Sequence, residues 1–385
     1  MKKVILFSIV LIGLNCFSQT KNKTTASNYF NKIIWTQVFN NFEVHVTIPF
    51  VSPWVIGMMN FNYIDNNVFT KNILKEDDIF TENDILMKEI LNSIHVGFLN
   101  YVPKDSTMIV RALFKDRLLY TLELHQSDSI INIDYKLPDN ELGESVIFDK
   151  RGFLKSLVTF HSGNKTKVTN ERVSDSLFIC TTDNELKDYT LIEENLYQKS
   201  NIINKKAFKE SKTTKKRKLI SDNSFQYNDK YQLSKILNLN KKGVILDSIE
   251  YFYQNDTLTA IKQEKDHLTT NFILFNYKNG LPYQTNIRKK DFSIQLTKSY
   301  EQNKISQIEN NDLISNQADQ YDFAYNKQGF LNSVLFKSTF NTTNEFKFDQ
   351  QCLYTYNKNN NLQTIKVVDK SGVIKKEINY EYDYK

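Results

Sequence analysis

Proton transfer and metal binding need histidines, carboxylates and thiols brought together, and this 385-residue chain supplies few of them. The five histidines are His45, His95, His125, His161 and His267. No two stand at metal-ligand spacing, and none precedes an acid in the pattern of a zinc hydrolase. In Phe42-Glu-Val-His-Val-Thr-Ile48 the alternation sets His45 opposite Phe42, Val44 and Val46, as expected for an exposed strand position. His125, after Leu122-Glu-Leu124, reads the same way. Glu76-Asp77-Asp78 could serve as paired carboxylates for glycoside chemistry, and an acidic turn ahead of a helix accounts for the same residues. Strained nucleophile elbows, phosphate-cradling loops, dinucleotide fingerprints and calcium loops have no counterpart in the chain, which holds only 10 glycines. Cys180 and Cys352 leave two readings open, a single bridge or two buried thiols. The expectation is no catalytic residue, no metal, no cofactor and no enzyme.

Binding chemistry is better supplied. Tyrosine and phenylalanine number 21 and 27, and a recurring tyrosine falls at Tyr227, Tyr253, Tyr277, Tyr300, Tyr325, Tyr356 and Tyr382. Rings exposed on one surface suit carbohydrate stacking or protein contact, so Tyr227, Tyr253, Tyr277, Tyr325 and Tyr356 form a candidate ligand surface. A basic run over 205–218 ends in Lys215, Lys216, Arg217 and Lys218. It could contact polyanions such as lipopolysaccharide, teichoic material or nucleic acid, or be a solvated loop or linker. Phe208 is the only aromatic in it, so base stacking has little support and no nucleic-acid partner is expected.

The tyrosines belong to a repeated phrase. It reads Phe225-Gln-Tyr227-Asn-Asp-Lys-Tyr-Gln-Leu233-Ser-Lys-Ile236, then Phe323-Ala-Tyr325-Asn-Lys-Gln-Gly-Phe-Leu331-Asn-Ser-Val334, then Tyr354-Thr-Tyr356-Asn-Lys-Asn-Asn-Asn-Leu362-Gln-Thr-Ile365. Successive tyrosines are 26, 24, 23, 25, 31 and 26 residues apart. A period of that length points to one supersecondary unit copied in series. Aromatics two apart share a strand face, Asn-Lys-Gln-Gly and Lys-Asn-Gly are turn chemistry, and the unit reads as a β-hairpin. An apolar pair three apart follows each turn: Leu154/Leu157, Leu233/Ile236, Leu258/Ile261, Ile305/Ile308, Leu331/Val334 and Leu362/Ile365. Spacing three breaks strict alternation, which predicts a bulge or a strand that begins only after the first member. Phe148-Asp-Lys-Arg-Gly-Phe-Leu154 is an earlier copy, and Phe178-Ile-Cys180 can be laid on the template with Cys180 in the tyrosine place. Phe61-Asn-Tyr63 fits loosely.

At these residues the chain resembles the YD-repeat, or RHS-type, family, whose units read roughly Tyr-x-Tyr-Asp-x-x-Gly-x-Leu-x-x-Ile. Phe148-Asp149-Lys-Arg-Gly152-Phe-Leu154 and Tyr380-Glu-Tyr382-Asp383 come nearest. The resemblance implies a spiralling β-sheet on an exported or surface protein, which in large members makes a shell around a toxic cargo. Most copies here carry Asn or another polar residue in place of Asp, and only some carry the Gly. The chain is far shorter than shell-forming members, so the repeat architecture is carried over and the toxin function is not.

The N-terminus resembles an export signal of the Bacteroidota type. Met1-Lys2-Lys3 is a basic start, Val4 to Leu14 is apolar, and cleavage is expected between Ser18 and Gln19. A lipid anchor on Cys16 is the rival reading, disfavoured by Asn15 in the place of a small residue. The formal charge of +6 falls by two when Lys2 and Lys3 leave with the signal. The basic run then exceeds the whole remaining excess, which argues against a distributed nucleic-acid surface. Helical spacing marks 27–39 and 81–94, and strand-like runs mark Phe42–Ile48, Thr107–Phe114, Leu118–Leu124 and Ile130–Tyr135.

The expected organisation is a signal at 1–18, an α+β or β cap at 19–145, degenerate repeats at 146–204, a basic loop or linker at 205–219 and clear repeats at 220–385. The fold class is mainly β: serial hairpins of about 25 residues in an extended, twisted antiparallel sheet. The expected function is an exported protein, periplasmic, outer-membrane-associated or extracellular, that binds or scaffolds an envelope glycan or protein. The alternatives are an envelope hydrolase using His45, His95 and the acids around Glu76, and an accessory or immunity partner of a secreted toxin.

Overall fold

A computed structural model describes residues 99–102 and 106–385, apart from 128–129, 150–153, 162–163, 199–200, 266–267, 290–291, 314–316 and 340–346. The expected cap helices, the strand at 42–48, the loose repeat at 61–69 and the signal lie outside the described residues.

The strands alternate up and down without interruption. The first are β1 (Thr107–Phe114), β2 (Arg117–Gln126), β3 (Ile130–Lys136), β4 (Leu142–Asp149), β5 (Leu154–His161), β6 (Asn164–Arg172) and β7 (Leu177–Asn184). Next come β8 (Tyr189–Gln198), β9 (Asn201–Ser211), β10 (Arg217–Tyr227), β11 (Leu233–Leu239), β12 (Ile245–Gln254), β13 (Thr257–Lys265), β14 (Leu268–Lys278) and β15 (Leu281–Lys289). The last are β16 (Phe292–Glu301), β17 (Lys304–Asp312), β18 (Gln317–Tyr325), β19 (Leu331–Ser338), β20 (Lys347–Tyr356), β21 (Leu362–Asp369) and β22 (Ile374–Tyr384). Each pairs antiparallel with the next, and β22 pairs with β1 over Met108↔Tyr384 to Phe114↔Ile378.

The sheet is therefore a closed 22-stranded barrel and not the extended open sheet expected from the repeat. Closure satisfies the backbone groups that two bare edges would leave to other chains. It also places β1 to β3 in the same wall as the repeats, so the sheet begins well before 146 and 107–145 is no separate cap. Because turns alternate ends, those after even-numbered strands share one rim. Residues 99–102 lie there, and we call it the entry rim. Turns after odd-numbered strands form the far rim.

The apolar pairs three apart are explained by bulges. Gln226 faces Lys235 but Tyr227 faces Leu233, and the same one-residue skip occurs at Tyr253/Leu258, Tyr277/Pro282, Tyr300/Ile305, Tyr325/Leu331 and Tyr356/Leu362. The skip turns both members inward: Leu331, Val334, Leu362 and Ile365 are all buried. One copy was misplaced. Phe178 and Cys180 climb β7 away from the entry rim, so Cys180 does not stand in a tyrosine's place. The unit there is Tyr197 facing Ile202 across a skip at Leu196/Tyr197.

Turn chemistry follows side-chain capacity. Asn228, Asn326 and Asn357 open entry-rim turns, and Asn240 and Asp369 open far-rim ones. In each the side-chain oxygen accepts from the amides two and four residues on, at 2.8–3.1 Å. Asn does this as well as Asp, so Asp is not required at the position that opens the turn. The fourth position takes positive φ, at Tyr231, Gly243, Gly329, Asn360 and Gly372. Asn255-Asp256 and Gln302-Asn303 have positive φ at both residues, the mirror-image turn that fits strand twist.

The two faces differ sharply. Inward positions carry the core: one cluster spans β16–β22 and β1–β7, including Tyr120, Leu122, Ile133, Phe336 and Tyr354, and a second spans β8–β15. Outward positions carry Lys–acid pairs strand to strand, among them Lys136–Glu123, Lys235–Glu250, Lys337–Asp322 and Lys366–Glu377 at 2.6–3.2 Å. Twenty-two strands at about 4.8 Å each would enclose a round bore about 34 Å wide. Most described inward side chains are nevertheless buried, as in a filled interior and unlike the wall of an open pore.

Candidate binding surfaces

The repeat tyrosines are held by backbone. Each hydroxyl donates to the carbonyl of the residue at or next to the start of the preceding returning strand. The bonds run Tyr227 to Ile202 (2.8 Å), Tyr253 to Leu233 (3.0 Å), Tyr277 to Leu258 (2.8 Å) and Tyr300 to Pro282 (2.9 Å). They continue through Tyr325 to Ile305 (2.9 Å), Tyr356 to Leu331 (2.6 Å) and Tyr382 to Leu362 (2.6 Å). Each accepting carbonyl lies beside a bulge, where the ladder is interrupted and a backbone acceptor needs a partner. Seven phenols thus staple hairpin to hairpin around the inner edge of the entry rim. Burial pushes the Tyr253 hydroxyl up to about 12 and those of Tyr227 and Tyr356 further still. The five tyrosines expected to form a ligand surface face inward, half-buried, with their hydroxyls engaged. Alternation put the two aromatics of each unit on one face, but that face is turned inward and is not the exposed surface expected, because spacing alone does not say which face is wet.

The basic run is no linker. It forms β9, a turn and the start of β10, because acids on neighbouring strands match it. Lys206 pairs with Asp222 (3.7 Å), Lys212 with Asp183 (2.7 Å), and Arg217 with both Glu194 and Glu210 (2.9 Å each). Lys209 lies over the Tyr189 ring, 5.1 Å from its centre. Of the predicted polyanion contacts, Arg217 is therefore engaged, while Lys215, Lys216 and Lys218 are exposed at the far rim.

Lys205 does something different. It faces inward, 1% exposed, 2.8 Å from the Glu193 carboxylate, itself 6% exposed. The approach is off the line of a straight hydrogen bond, so the attraction is Coulombic. In register around them run Asn195, Lys205, Asn223, Asn238 and Asp247 on β8–β12, a continuous polar arc on an inner wall that elsewhere buries single polar residues such as Thr166, Asn184, Thr285 and Lys298. Nothing local in the sequence marked these five as sharing a face, since the bulges reset the alternation between strands.

At the entry rim a buried amide ties the incoming chain down. Asn361 Oδ1 accepts from the amides of Asn100 and Tyr101 at 2.8 Å, and its Nδ2 donates to the Tyr101 carbonyl at 3.0 Å. Asn100 donates to the Asn360 carbonyl, Leu99 enters the core and Tyr101 meets Tyr384 edge to face.

Residues considered for chemistry are scattered. His125 faces outward near Thr107 Oγ1 (3.4 Å), while His45, His95, His267 and the acids around Glu76 lie outside the described residues. Cys180 and Cys352 are buried and not bridged; burial pushes the Cys352 thiol up to about 12, far from a reactive thiolate. Among the described residues no cluster of His, Cys, Asp and Glu could hold a metal ion, and no helix is long and apolar enough to cross a membrane, a statement that leaves strands aside.

No family model matches the chain, and no curated relative does either. Among solved structures it is similar to a porin-like protein of Bacteroides uniformis, at 11% identity and TM-score 0.27, covering 73% of this chain and 98% of that one. A porin-like protein of Bacteroides vulgatus gives 8% and 0.25 over 73% and 99%. The Tc holotoxin pore of Photorhabdus luminescens gives 9% and 0.23 over 69% of this chain and 18% of that one. At these scores the likeness carries no functional argument, and the polarity of the two faces has to decide.

Proposed function

We propose that this chain is an exported, water-facing hairpin-repeat barrel that binds or scaffolds in the cell envelope or outside it, without catalysis. The observation that carries this reading is the polarity of the wall. A barrel that spans lipid turns an apolar band about 25 Å tall outward and keeps polar groups inside. Here the order is reversed: Tyr120, Leu122, Leu331 and Leu362 are enclosed, while Lys136–Glu123, Lys235–Glu250 and Lys337–Asp322 stud the outside. Placing one such charge at a bilayer midplane costs about 2–4 kcal/mol, and this wall has several. The bulge-and-tyrosine unit supports a YD-like repeat, and the basic, apolar start of the chain supports export.

The test is extraction. Cells expressing the full chain should release it into detergent-free buffer as a monodisperse β-rich protein, and it should give no conductance steps in planar bilayers. Recovery only in detergent, or stepwise conductance, would overturn the reading. Turnover of envelope polysaccharide or peptide by the pure protein would overturn the non-catalytic part.

A further inference from the structure

Exposed aliphatic side chains tip turns around the far rim, Leu186, Leu313, Val373 and Ile374 among them, and in one sector they stand beside a concentration of exposed lysines. Val244, Ile245 and Leu246 at the β11–β12 turn are 56%, 49% and 45% exposed, and Leu268 at the β13–β14 turn is 70% exposed. Beside them stand Lys241 and Lys242, and the neighbouring β9–β10 turn adds Lys215, Lys216 and Lys218, all exposed. The described acids of this sector are engaged. Glu210 holds Arg217, Glu250 holds Lys235, and Asp247 accepts from Asn238. Other far-rim acids, Asp116, Asp139, Glu141, Glu185, Asp188 and Asp369 among them, lie at the β1–β2, β3–β4, β7–β8 and β21–β22 turns.

We infer that this sector docks the barrel on the headgroup layer of an anionic phospholipid bilayer. Two features select lipid over a protein partner. Protein hot spots favour Trp, Tyr and Arg in fitted pockets, whereas these tips offer Val, Ile, Leu and Lys on separate turns. Shallow insertion of aliphatic tips with lysines at phosphate level is the chemistry of a peripheral membrane surface. The entry rim makes the contrast: its turns carry Asn and Tyr, and its tyrosine hydroxyls are spent on backbone. The inference rests on the proposed water-facing envelope barrel and names its partner.

The test is flotation of the exported protein with vesicles of phosphatidylcholine alone or with about 30% phosphatidylglycerol, in low salt and in about 0.5 M NaCl. Binding is expected only with phosphatidylglycerol and only in low salt. V244S/L246S/L268S and, separately, K241E/K242E should each weaken it about tenfold or more. V173S/Y231S on the entry rim should leave it unchanged. Binding to neither vesicle, equal binding to both, or equal loss in the entry-rim variant overturns the inference. So does capture of an envelope protein that survives the triple substitution while lipid binding is absent. These failures leave the water-facing reading standing if the protein stays monodisperse without detergent. Dye release from the vesicles or carbonate-resistant insertion would instead bring down that reading.

Discussion

Two arcs of the same wall are built on opposite terms. From β18 through β22 to β4 the inner face is rings and branched aliphatics: Tyr321 on Phe336 at 5.0 Å, Tyr120 on Tyr135 at 5.2 Å, with Leu362, Ile378 and Ile133 between. From β8 to β12 one register row holds Asn195, Lys205, Asn223, Asn238 and Asp247. Both arcs keep the bulge and, beyond β8, the tyrosine staple. The repeat therefore fixes backbone geometry at the entry rim, and the middle of each strand is free to be greasy or polar. The greasy arc supplies burial; the polar arc spends desolvation on a fixed alignment of strands.

Breaking the polar arc should give the largest effect. Lys205→Met leaves the Glu193 carboxylate enclosed without its cation, and urea unfolding should show a loss of about 3–5 kcal/mol. Adding Glu193→Leu should recover most of it; no recovery would mean that the pair is not the cause. On the greasy arc Leu362→Ala should cost about 3 kcal/mol by cavity formation, and a value near zero would show that the wall collapses to fill the gap. Asn361→Ala should cost about 1–2 kcal/mol and increase proteolysis just before β1, because three bonds to the incoming chain disappear. Tyr356→Phe, which strands the Leu331 carbonyl, should cost about 1 kcal/mol against nothing for the exposed Tyr231→Phe.

The smallest effect per residue is in pH, shared by both arcs. A phenol whose folded value is raised favours the neutral form, so its contribution is complete below the ordinary value of 10.0 and is lost as pH rises through the folded value, about 12 for Tyr253. Melting temperature should hold to about pH 10 and then fall steeply, and the phenolate absorbance lost on Tyr253→Phe should be absorbance that wild type develops only at the transition. A difference between wild type and Tyr253→Phe that already titrates at pH 10 in folded protein would sink the staple.

Much of the local structure was legible and little of the global. The tyrosine period, the turn residues and the spacing of three that marks each bulge are properties of a dozen neighbouring residues, and Thr107–Phe114 was readable as a strand to the residue. Closure was not, because pairing β22 to β1 joins segments more than 250 residues apart and leaves no local mark. Charge misled for a related reason. The run at 205–218 looks like a loop only while Glu193, Glu194 and Asp222 on flanking strands are invisible. Tyr197 escaped notice because Asn195 and Lys205 replace the apolar residues that framed the other copies.

The parity of the wall has one further consequence. With an even number of staves, Thr107 and Lys385 come to lie side by side, exchanging amide bonds of 3.0 and 2.9 Å. A bridge from Lys385 to residue 99 in place of 1–98, with a cut in a turn such as 241–243, would reorder the polypeptide while keeping every ladder and the Asn361 contacts, so the repeat can be opened at a place of the experimenter's choosing.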